Sequence, residues 1–369
     1  MKVPFNNLNI IHSKIHNNVF KRFEKTVINN SFILSEENSE FENKFAKYSN
    51  CKYSISCSNG TSALELVLNS LEYINGKDEV LVPVNSFIAT SFAISNVNLN
   101  PVFYDCDSYY LGDLNDLERK ITKKTRAIIG VNLYGQMVNI KKLKSLADSK
   151  NIPLIIDGAQ SHGANQANSV SEDYSLATTY SFYPGKNLGG WGDGGSINTN
   201  NSLLAKKLFM LRNQGGIKKY QHDIVGTNAR MSSLQAIVLS EKMKYIEEWI
   251  AERNDIAKFY NENLFELQPN LITPKTFEGN YHTNHLYVIQ VKNRNKFMGF
   301  LKDQGIETGI HYPNLITDNL AYKYHNQYKS KFTNASNFKK KIVSLPIFPG
   351  MNKKQLDYVV KNINHFFKK

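Results

Sequence analysis

The chain of 369 residues lacks most features of secreted or membrane proteins. Its three cysteines, Cys51, Cys57 and Cys106, are too few for a disulfide framework, and their spacing does not fit a zinc site. No uninterrupted apolar run is long enough for a transmembrane helix. The first residues, MKVPFNNLNI, lack the apolar core of a signal peptide. We therefore expect a cytoplasmic protein with no membrane partner and no bound metal.

The composition indicates a folded protein with a basic C-terminal region. Hydrophobic residues make up 41% of the chain and charged residues 21%, which excludes a mostly disordered protein. The net charge is +13, and most of the excess of Lys and Arg lies in residues 290–369. A basic region can bind nucleic acid, but a solvated lysine surface gives the same pattern. No helix-turn-helix or zinc-knuckle motif is present, so we expect no nucleic-acid partner.

Short apolar runs alternate with helical patterns over the first 300 or so residues, which predicts an α/β fold. The predicted buried strands are residues 79–84, 126–134, 152–157, 177–182 and 194–199. The pattern also predicts a helix over 61–74 and one long amphipathic helix over 232–264. That long helix would connect a large domain, residues 1–250, to a smaller C-terminal domain, residues 251–369.

The segment CSNGTSAL, residues 57–64, is a short polar turn that opens directly onto an amphipathic helix. Backbone N–H groups at a helix N-terminus, together with the helix dipole, form an anion site. Gly60 and the hydroxyl of Thr61 lie at that point. The alternative interpretation is a plain helix cap, because Ser, Asn and Thr are preferred there.

Two further segments place a carboxylate and a lysine after predicted strands. Asp157 ends the run LIID, at the sheet edge where α/β proteins bind ligands. A partly desolvated carboxylate there needs a positive partner, which a protonated ring nitrogen of a bound heterocycle would provide; alternatively, Asp157 caps the next turn. Lys186 lies between Pro184-Gly185 and a glycine-rich loop whose backbone can approach a flat ligand. A lysine in that position is suited to forming a Schiff base.

These segments belong to an ordered set of motifs that resembles one family. In chain order the set is SNGTSAL, VPVNSFIAT, VNLYGQ, IIDGAQSHGA, SFYPGKNLGGWGDGG, GTNARMSSLQA and IHYP. It is similar to the pyridoxal-phosphate-dependent nucleotide-sugar aminotransferases of the DegT/StrS family, and the match extends from residue 23 to residue 351. The resemblance implies the fold type I aminotransferase architecture. In that fold a large domain has a mixed, mostly parallel sheet between helices, and a smaller C-terminal domain is α+β.

The resemblance also implies roles for single residues around pyridoxal phosphate. Lys186 would hold the cofactor as a Schiff base and move the proton during transamination. Asp157 would pair with the ring nitrogen, Gln160 would lie near the phenolic oxygen, and Phe87 would stack on the ring. The residues that would hold the phosphate are Gly60, Thr61, Ser181 and, from a neighbouring subunit, Asn228. The active site would therefore be shared within a homodimer; otherwise Asn228 belongs to a helix N-terminal turn.

The form SFYPGKNLG resembles the group that aminates a 3-keto-6-deoxyhexose attached to dTDP, with L-glutamate as amino donor. In that group the sugar-nucleotide cleft would be lined by Tyr183, Lys219, Tyr220, His311 and Tyr312. The Gly190-Trp191 pair and the segment NARMS, residues 228–232, depart from the commoner forms, so amination at C4 stays open. A UDP- or GDP-sugar in place of the dTDP-sugar also stays possible as the substrate.

Two other activities compete with transamination. A dehydratase of the same superfamily would carry His where this chain has Lys186, so elimination chemistry is disfavoured. A non-catalytic regulator on the same fold is the remaining alternative. The resemblance also implies that the product would enter a surface polysaccharide such as O-antigen, or else a secreted metabolite.

Overall fold

The computed structural model describes residues 1–323 and 331–368. The helices are α1 (Leu8–Ile28), α2 (Glu36–Tyr48), α3 (Gly60–Ser70), α4 (Ile88–Asn96), α5 (Leu114–Lys120), α6 (Ile140–Ser149), α7 (Ser202–Leu211), α8 (Ser233–Lys242), α9 (Ile246–Leu264), α10 (Arg294–Asp303), α11 (Thr333–Phe338) and α12 (Lys353–Lys368). The strands are β1 (Tyr53–Cys57), β2 (Glu79–Pro83), β3 (Asn100–Tyr104), β4 (Thr125–Val131), β5 (Leu154–Asp157), β6 (Asn165–Gln166), β7 (Ala177–Ser181), β8 (Gly195–Thr199), β9 (Leu271–Ile272), β10 (Asn280–Tyr281), β11 (Tyr287–Val291) and β12 (Ile342–Leu345). None of these described helices combines the length and apolar character that crossing a membrane requires.

A seven-stranded sheet in the order β1-β8-β7-β5-β4-β2-β3 forms the centre of the molecule. The pairs from β7 to β3 are parallel, and β8 runs antiparallel to both of its neighbours. Buried apolar side chains of these strands pack against α3, α4, α6 and α7. The expected mixed, mostly parallel α/β sheet is confirmed. Because β5 and β7 are parallel neighbours, Asp157 and Ser181 end at the same edge.

A smaller antiparallel sheet, in the order β12-β11-β9, lies towards the C-terminus. It shares a second apolar core with α9, α10 and α12. Val3 from the N-terminus joins this core and bridges to Ile306. This layer is the α+β part of the fold. The proposed domain boundary at 250/251 falls inside α9 and stays a prediction.

Two helix predictions were wrong in extent. The segment 232–264 forms two helices, because Lys244 and Tyr245 donate their backbone N–H groups to Glu241 and Lys242, three residues back, and this tight turn separates α8 from α9. The helix expected over 61–74 ends at Ser70, since Leu71 already has extended backbone angles. In both places local hydrogen bonding ends a helix that the apolar pattern would continue.

Candidate active site

One cavity of about 820 Å³ lies at the carboxyl edge of the parallel strands. Its walls come from the central sheet, from the segment 285–286, from His311-Tyr312 and from the N-terminal residues Phe5 and Asn6. Most of the site residues expected from sequence line it, namely Gly60, Thr61, Phe87, Asp157, Gln160, Ser181, Tyr183, Lys186, His311 and Tyr312. Residues that are far apart in the sequence are therefore collected around one space.

Lys186 lies in a tight turn after β7, where its backbone N–H donates to the carbonyl of Tyr183 at 2.9 Å. Desolvation lowers the pKa of its amine to about 8, although the nearby carboxylate of Asp157 raises it in part. An amine with that pKa has a sizeable neutral fraction near neutral pH. The turn therefore presents a nucleophilic nitrogen to the cavity.

Asp157 is buried at the end of β5. The Thr90 hydroxyl donates to its Oδ2 at 2.8 Å, and the Ala159 N–H donates to its Oδ1 at 3.1 Å. Burial raises the pKa of this carboxyl, and the two hydrogen bonds and Lys186 oppose that effect. Within residues 1–323 and 331–368 no lysine or arginine forms an ion pair with it. The site can therefore accept a cationic group of a ligand.

The turn before α3 provides an anion site as well as a helix cap. The Asn59 side chain caps the helix by accepting from the Ser62 N–H at 2.8 Å. The N–H groups of Gly60 and Thr61, at the first positions of α3, have no acceptor within the helix. Gly60 packs so closely on Ser181 that an added Cβ would lie 2.8 Å from the Ser181 Cβ. This close packing brings the Ser181 hydroxyl beside the helix N-terminus.

A hydrogen-bonded group that includes two aromatic rings forms another part of the cavity wall. Gln160 accepts from the backbone N–H of Tyr134 at 2.8 Å and donates from Nε2 to the Tyr312 hydroxyl at 2.9 Å. The ring of Tyr312 lies 5.4 Å from that of Phe87, which is 52% exposed and so has a face free for a planar ligand. These contacts fix the amide of Gln160 and place two aromatic rings at the rim.

His311 is held on two sides, and its environment disfavours the charged form. Its Nδ1 lies 2.8 Å from the Ser344 hydroxyl, and its ring stacks on Phe5 at 5.6 Å. Burial, and secondarily the charge of Lys186, lowers its pKa to about 4. Tyr183 also lines the cavity but is 60% exposed. At the cavity wall, His311 is therefore fixed by its neighbours, whereas Tyr183 is exposed.

Three expected site residues do not line the cavity of this chain. Lys219 and Tyr220 lie together in the segment between α7 and α8, where the ammonium sits 5.0 Å from the ring centre and Tyr220 is 85% exposed. Asn228 bridges to Asn213 and accepts from Arg230 Nε at 2.9 Å. Their roles at the substrate, and the role of Asn228 across a subunit boundary, stay predictions.

Other residues at the site were not found by sequence reasoning. Thr90 binds Asp157 directly, and its position three residues after Phe87 in the SFIAT motif was an available signal. Arg253, His285 and Asn6 line the cavity from elements outside the quoted motifs. Their approach depends on how the C-terminal layer packs against the sheet.

The residues present fit pyridoxal phosphate. A buried carboxylate without a cationic partner suits a protonated pyridine nitrogen, and a partly neutral lysine suits the aldehyde. The N-terminus of α3, with the free N–H groups of Gly60 and Thr61 and the Ser181 hydroxyl beside them, suits the phosphate. Fold and site together define a pyridoxal-phosphate-dependent enzyme of the fold type I aminotransferase class.

Comparison with known proteins identifies the family. The chain belongs to the DegT/DnrJ/EryC1/StrS aminotransferase family, whose sequence profile matches residues 13–364. It is 36% identical over 366 residues to the dTDP-3-amino-3,6-dideoxy-alpha-D-galactopyranose transaminase of Aneurinibacillus thermoaerophilus, covering 99% of both chains. It is 34% identical to the "pleiotropic regulatory protein" of Geobacillus stearothermophilus, covering 100% of this chain and 99% of that one. It is 32% identical to the UDP-N-acetyl-3-dehydro-alpha-D-glucosamine 3-aminotransferase of Acidithiobacillus ferrooxidans, covering 96% and 95%.

Solved structures agree with this assignment. DesV of S. venezuelae, in complex with a ketimine intermediate, superposes with a TM-score of 0.96 at 30% identity and covers 100% of this chain and 99% of that chain. NtdA of Bacillus subtilis, with the cofactor PMP bound, has a TM-score of 0.93 at 27% identity and covers 100% and 86%. The chain is a nucleotide-sugar aminotransferase, and its cofactor is pyridoxal phosphate.

Proposed function

We propose that this enzyme converts a dTDP-3-keto-6-deoxyhexose to the dTDP-3-amino-3,6-dideoxyhexose, with L-glutamate as amino donor. The observation that carries the proposal is the single cavity that holds Lys186, Asp157 and the α3 N-terminus. We place the reaction in the cytoplasm and the product in surface-polysaccharide synthesis, such as that of O-antigen.

Two relatives support amination at C3 in particular. The names of the Aneurinibacillus and Acidithiobacillus enzymes both specify a 3-amino or 3-dehydro sugar, and the Aneurinibacillus enzyme acts on a dTDP-sugar. The volume of about 820 Å³ is at the upper end of the range for small-molecule sites, as a cofactor and a sugar together require. Tyr183 and Tyr312 line this space and would border the sugar.

The chain's own residues can perform the required proton transfers. When bound, pyridoxal phosphate supplies a carbonyl that takes up the amino group and a ring that withdraws electrons. Each half of a transamination removes one proton from carbon and returns one nearby, so one base that also acts as an acid is sufficient. Lys186 Nζ, with a pKa of about 8, can exchange a proton near neutral pH. Asp157 would keep a positive charge at the buried end of the site.

The test is turnover of paired dTDP-3-keto and dTDP-4-keto sugars with L-glutamate, followed by NMR location of the new amine. We expect a 3-amino product and formation of 2-oxoglutarate. A 4-amino product would overturn the regiochemistry in favour of the alternative, C4 amination. No amine transfer to either sugar, from protein with a full complement of cofactor, would contradict the dTDP-sugar substrate, and UDP- and GDP-linked keto sugars would then be assayed in the same way.

We also propose that the active site is completed in a homodimer. The segment between α7 and α8 that carries Lys219, Tyr220 and Asn228 also exposes Ile217 at 61% and Val225 at 96%. At the end of α1, Val27 and Ile28 are 55% and 71% exposed. Exposed apolar side chains at this density are typical of protein interfaces.

The dimer proposal is tested with two inactive variants. Lys186→Ala lacks the catalytic amine, and Asn228→Ala lacks the group expected to cross the subunit boundary. If sites are shared, an equimolar mixture restores about a quarter of the wild-type activity, because about half of the dimers are mixed and one of the two sites in each mixed dimer combines both intact residues. A mixture that stays as inactive as its components, although mass measurements show mixed dimers, would refute sharing.

A further inference from the structure

Arg253 on α9 is a buried cation at the wall of the cavity. Its side chain is 3% exposed, and it lines the same cavity as Lys186. Nη1 donates to the carbonyl of Ile347 at 2.9 Å and, more weakly, to those of His285 at 3.3 Å and Asn284 at 3.4 Å. These contacts hold the guanidinium in place without neutralising it.

No carboxylate forms an ion pair with this guanidinium in the described part of the chain, although the charge of Glu252 acts on it from nearby. Nε has no hydrogen-bond partner, and neither does Nη2. Arg212, which is also buried, differs because it pairs with Glu42, and the half-buried Arg22 pairs with three glutamates. Burial lowers the pKa of Arg253 to about 10, and the charge of Glu252, which forms no ion pair with it, opposes this effect only in part. A buried charge of this kind is costly unless a ligand supplies the counter-charge.

A chain of contacts leads from Arg253 to the reacting lysine. Arg253 donates to the carbonyl of His285, and the His285 ring nitrogen Nδ1 lies 3.2 Å from the Asn187 side-chain oxygen. Asn187 directly follows Lys186 in the sequence. The anion site at the N-terminus of α3 is built from other residues of the same cavity, Gly60, Thr61 and Ser181. The cavity therefore has two sets of groups that can bind an anion.

We propose that Arg253 binds a carboxylate of the amino donor. The inference rests on the proposed glutamate-dependent transamination, and it adds the residue that recognises the donor. The guanidinium has free N–H donors in a planar fork, which matches a carboxylate. Its burial favours a small anion over the diphosphate of a nucleotide sugar, which would lie towards solvent.

The experiment compares ligand binding to holoenzyme variants Arg253→Gln and Arg253→Lys. Glutarate, a dicarboxylate without an amino group, reports the donor site, and dTDP reports the nucleotide site. Both affinities are measured by calorimetry, together with cofactor content and Tm. The matched control is Arg294→Gln, because Arg294 also has an unpartnered Nε and donates to a backbone carbonyl, but lies outside the cavity.

We expect Arg253→Gln to weaken glutarate binding by about tenfold or more, as loss of a hydrogen bond to a charged group implies. Arg253→Lys should weaken glutarate binding less. The affinity for dTDP and the cofactor content should stay within about twofold of wild type in both Arg253 variants and in the control. In separate half-reactions, the apparent affinity for L-glutamate should fall and that for the amino sugar should not.

Several results would overturn the proposal. The proposal is wrong if Arg253→Gln binds glutarate as well as the wild type does. It is also wrong if this variant loses affinity for dTDP but not for glutarate, or if it loses glutarate, dTDP and cofactor binding to the same extent. A wild-type enzyme that does not bind glutarate would also contradict it. If the enzyme aminates C4, or uses neither sugar, but still binds glutarate through Arg253, then the proposed substrate fails and the assignment of Arg253 stands.

Discussion

Gly195→Ala should damage cofactor binding from outside the cavity. Gly195 begins β8 and pairs with Cys57 in β1, directly beside the turn that leads into α3. A Cβ at this position would lie 2.4 Å from the carbonyl carbon and oxygen of Asn59 and 2.9 Å from the Gly60 nitrogen. All three atoms are backbone, so no side-chain rotation can relieve the overlap.

The size of the effect follows from this overlap. The contacts are about 1 Å shorter than ordinary van der Waals distances, and overpacking of this kind costs about 1–3 kcal/mol. The Asn59-Gly60 turn would have to move, and with it the N–H groups proposed to hold the phosphate. If the whole cost appears in binding, the affinity for pyridoxal phosphate falls by about five- to 150-fold.

The assay is titration of the apoenzyme with pyridoxal phosphate, followed by absorbance, with Tm measured in parallel. Gly185→Ala is the matched control, because it changes a glycine beside Lys186 where an added Cβ would only contact the Tyr183 ring at 3.7 Å. We expect the control to stay within about twofold of wild type. Wild-type cofactor affinity and Tm in Gly195→Ala would refute the reasoning.

Three further predictions concern Lys186, Thr90 and Arg212. In the apoenzyme, Lys186 is protonated below its pKa of about 8. The rate at which an amine-modifying reagent reacts with Lys186 should therefore rise with pH up to about 8 and then level off. A rate that continues to rise to pH 10 would contradict this expectation. Thr90→Val removes a hydrogen bond to Asp157 and should raise the pKa of that carboxyl. In urea denaturation the free energy of unfolding should fall by about 1–3 kcal/mol. Ser91→Ala, which removes a hydroxyl that donates to a backbone carbonyl, should lower it by less. Arg212→Met leaves Glu42 buried without its cation and should lower the free energy of unfolding by about 3–5 kcal/mol. Lys353→Met, in an exposed ion pair, should lower it by less than about 1 kcal/mol, and equal losses in the two variants would contradict the prediction.

The part of the site that lies on the central sheet could be predicted from sequence. An apolar run that ends in Asp157 and a run that ends in Ser181 are neighbouring parallel strands, and parallel strands end at one edge. The polar turn at Gly60 opens α3 where predicted. By contrast, the break between α8 and α9 has neither Gly nor Pro at residues 243–245, so the apolar pattern contains no signal for it.

His311 and Tyr312 were expected at the site from the sequence, but Arg253 and His285 were missed for a different physical reason. These two residues reach the cavity through packing between distant segments, as when Arg253 binds the carbonyl of Ile347. One local signal was nevertheless present. The buried positions of α9 recur with helical spacing at Ile246, Trp249, Ile250, Arg253, Ile256, Ala257, Tyr260 and Leu264, and Arg253 is the one charged residue among them. A guanidinium on the apolar face of a helix must find polar partners or an anion, because desolvation without either is too costly. A charge on an otherwise apolar helical face therefore marks a residue whose partners must be found in the structure: Lys242 has the Gly189 carbonyl, whereas Arg253 has carbonyls on one side and the cavity on the other.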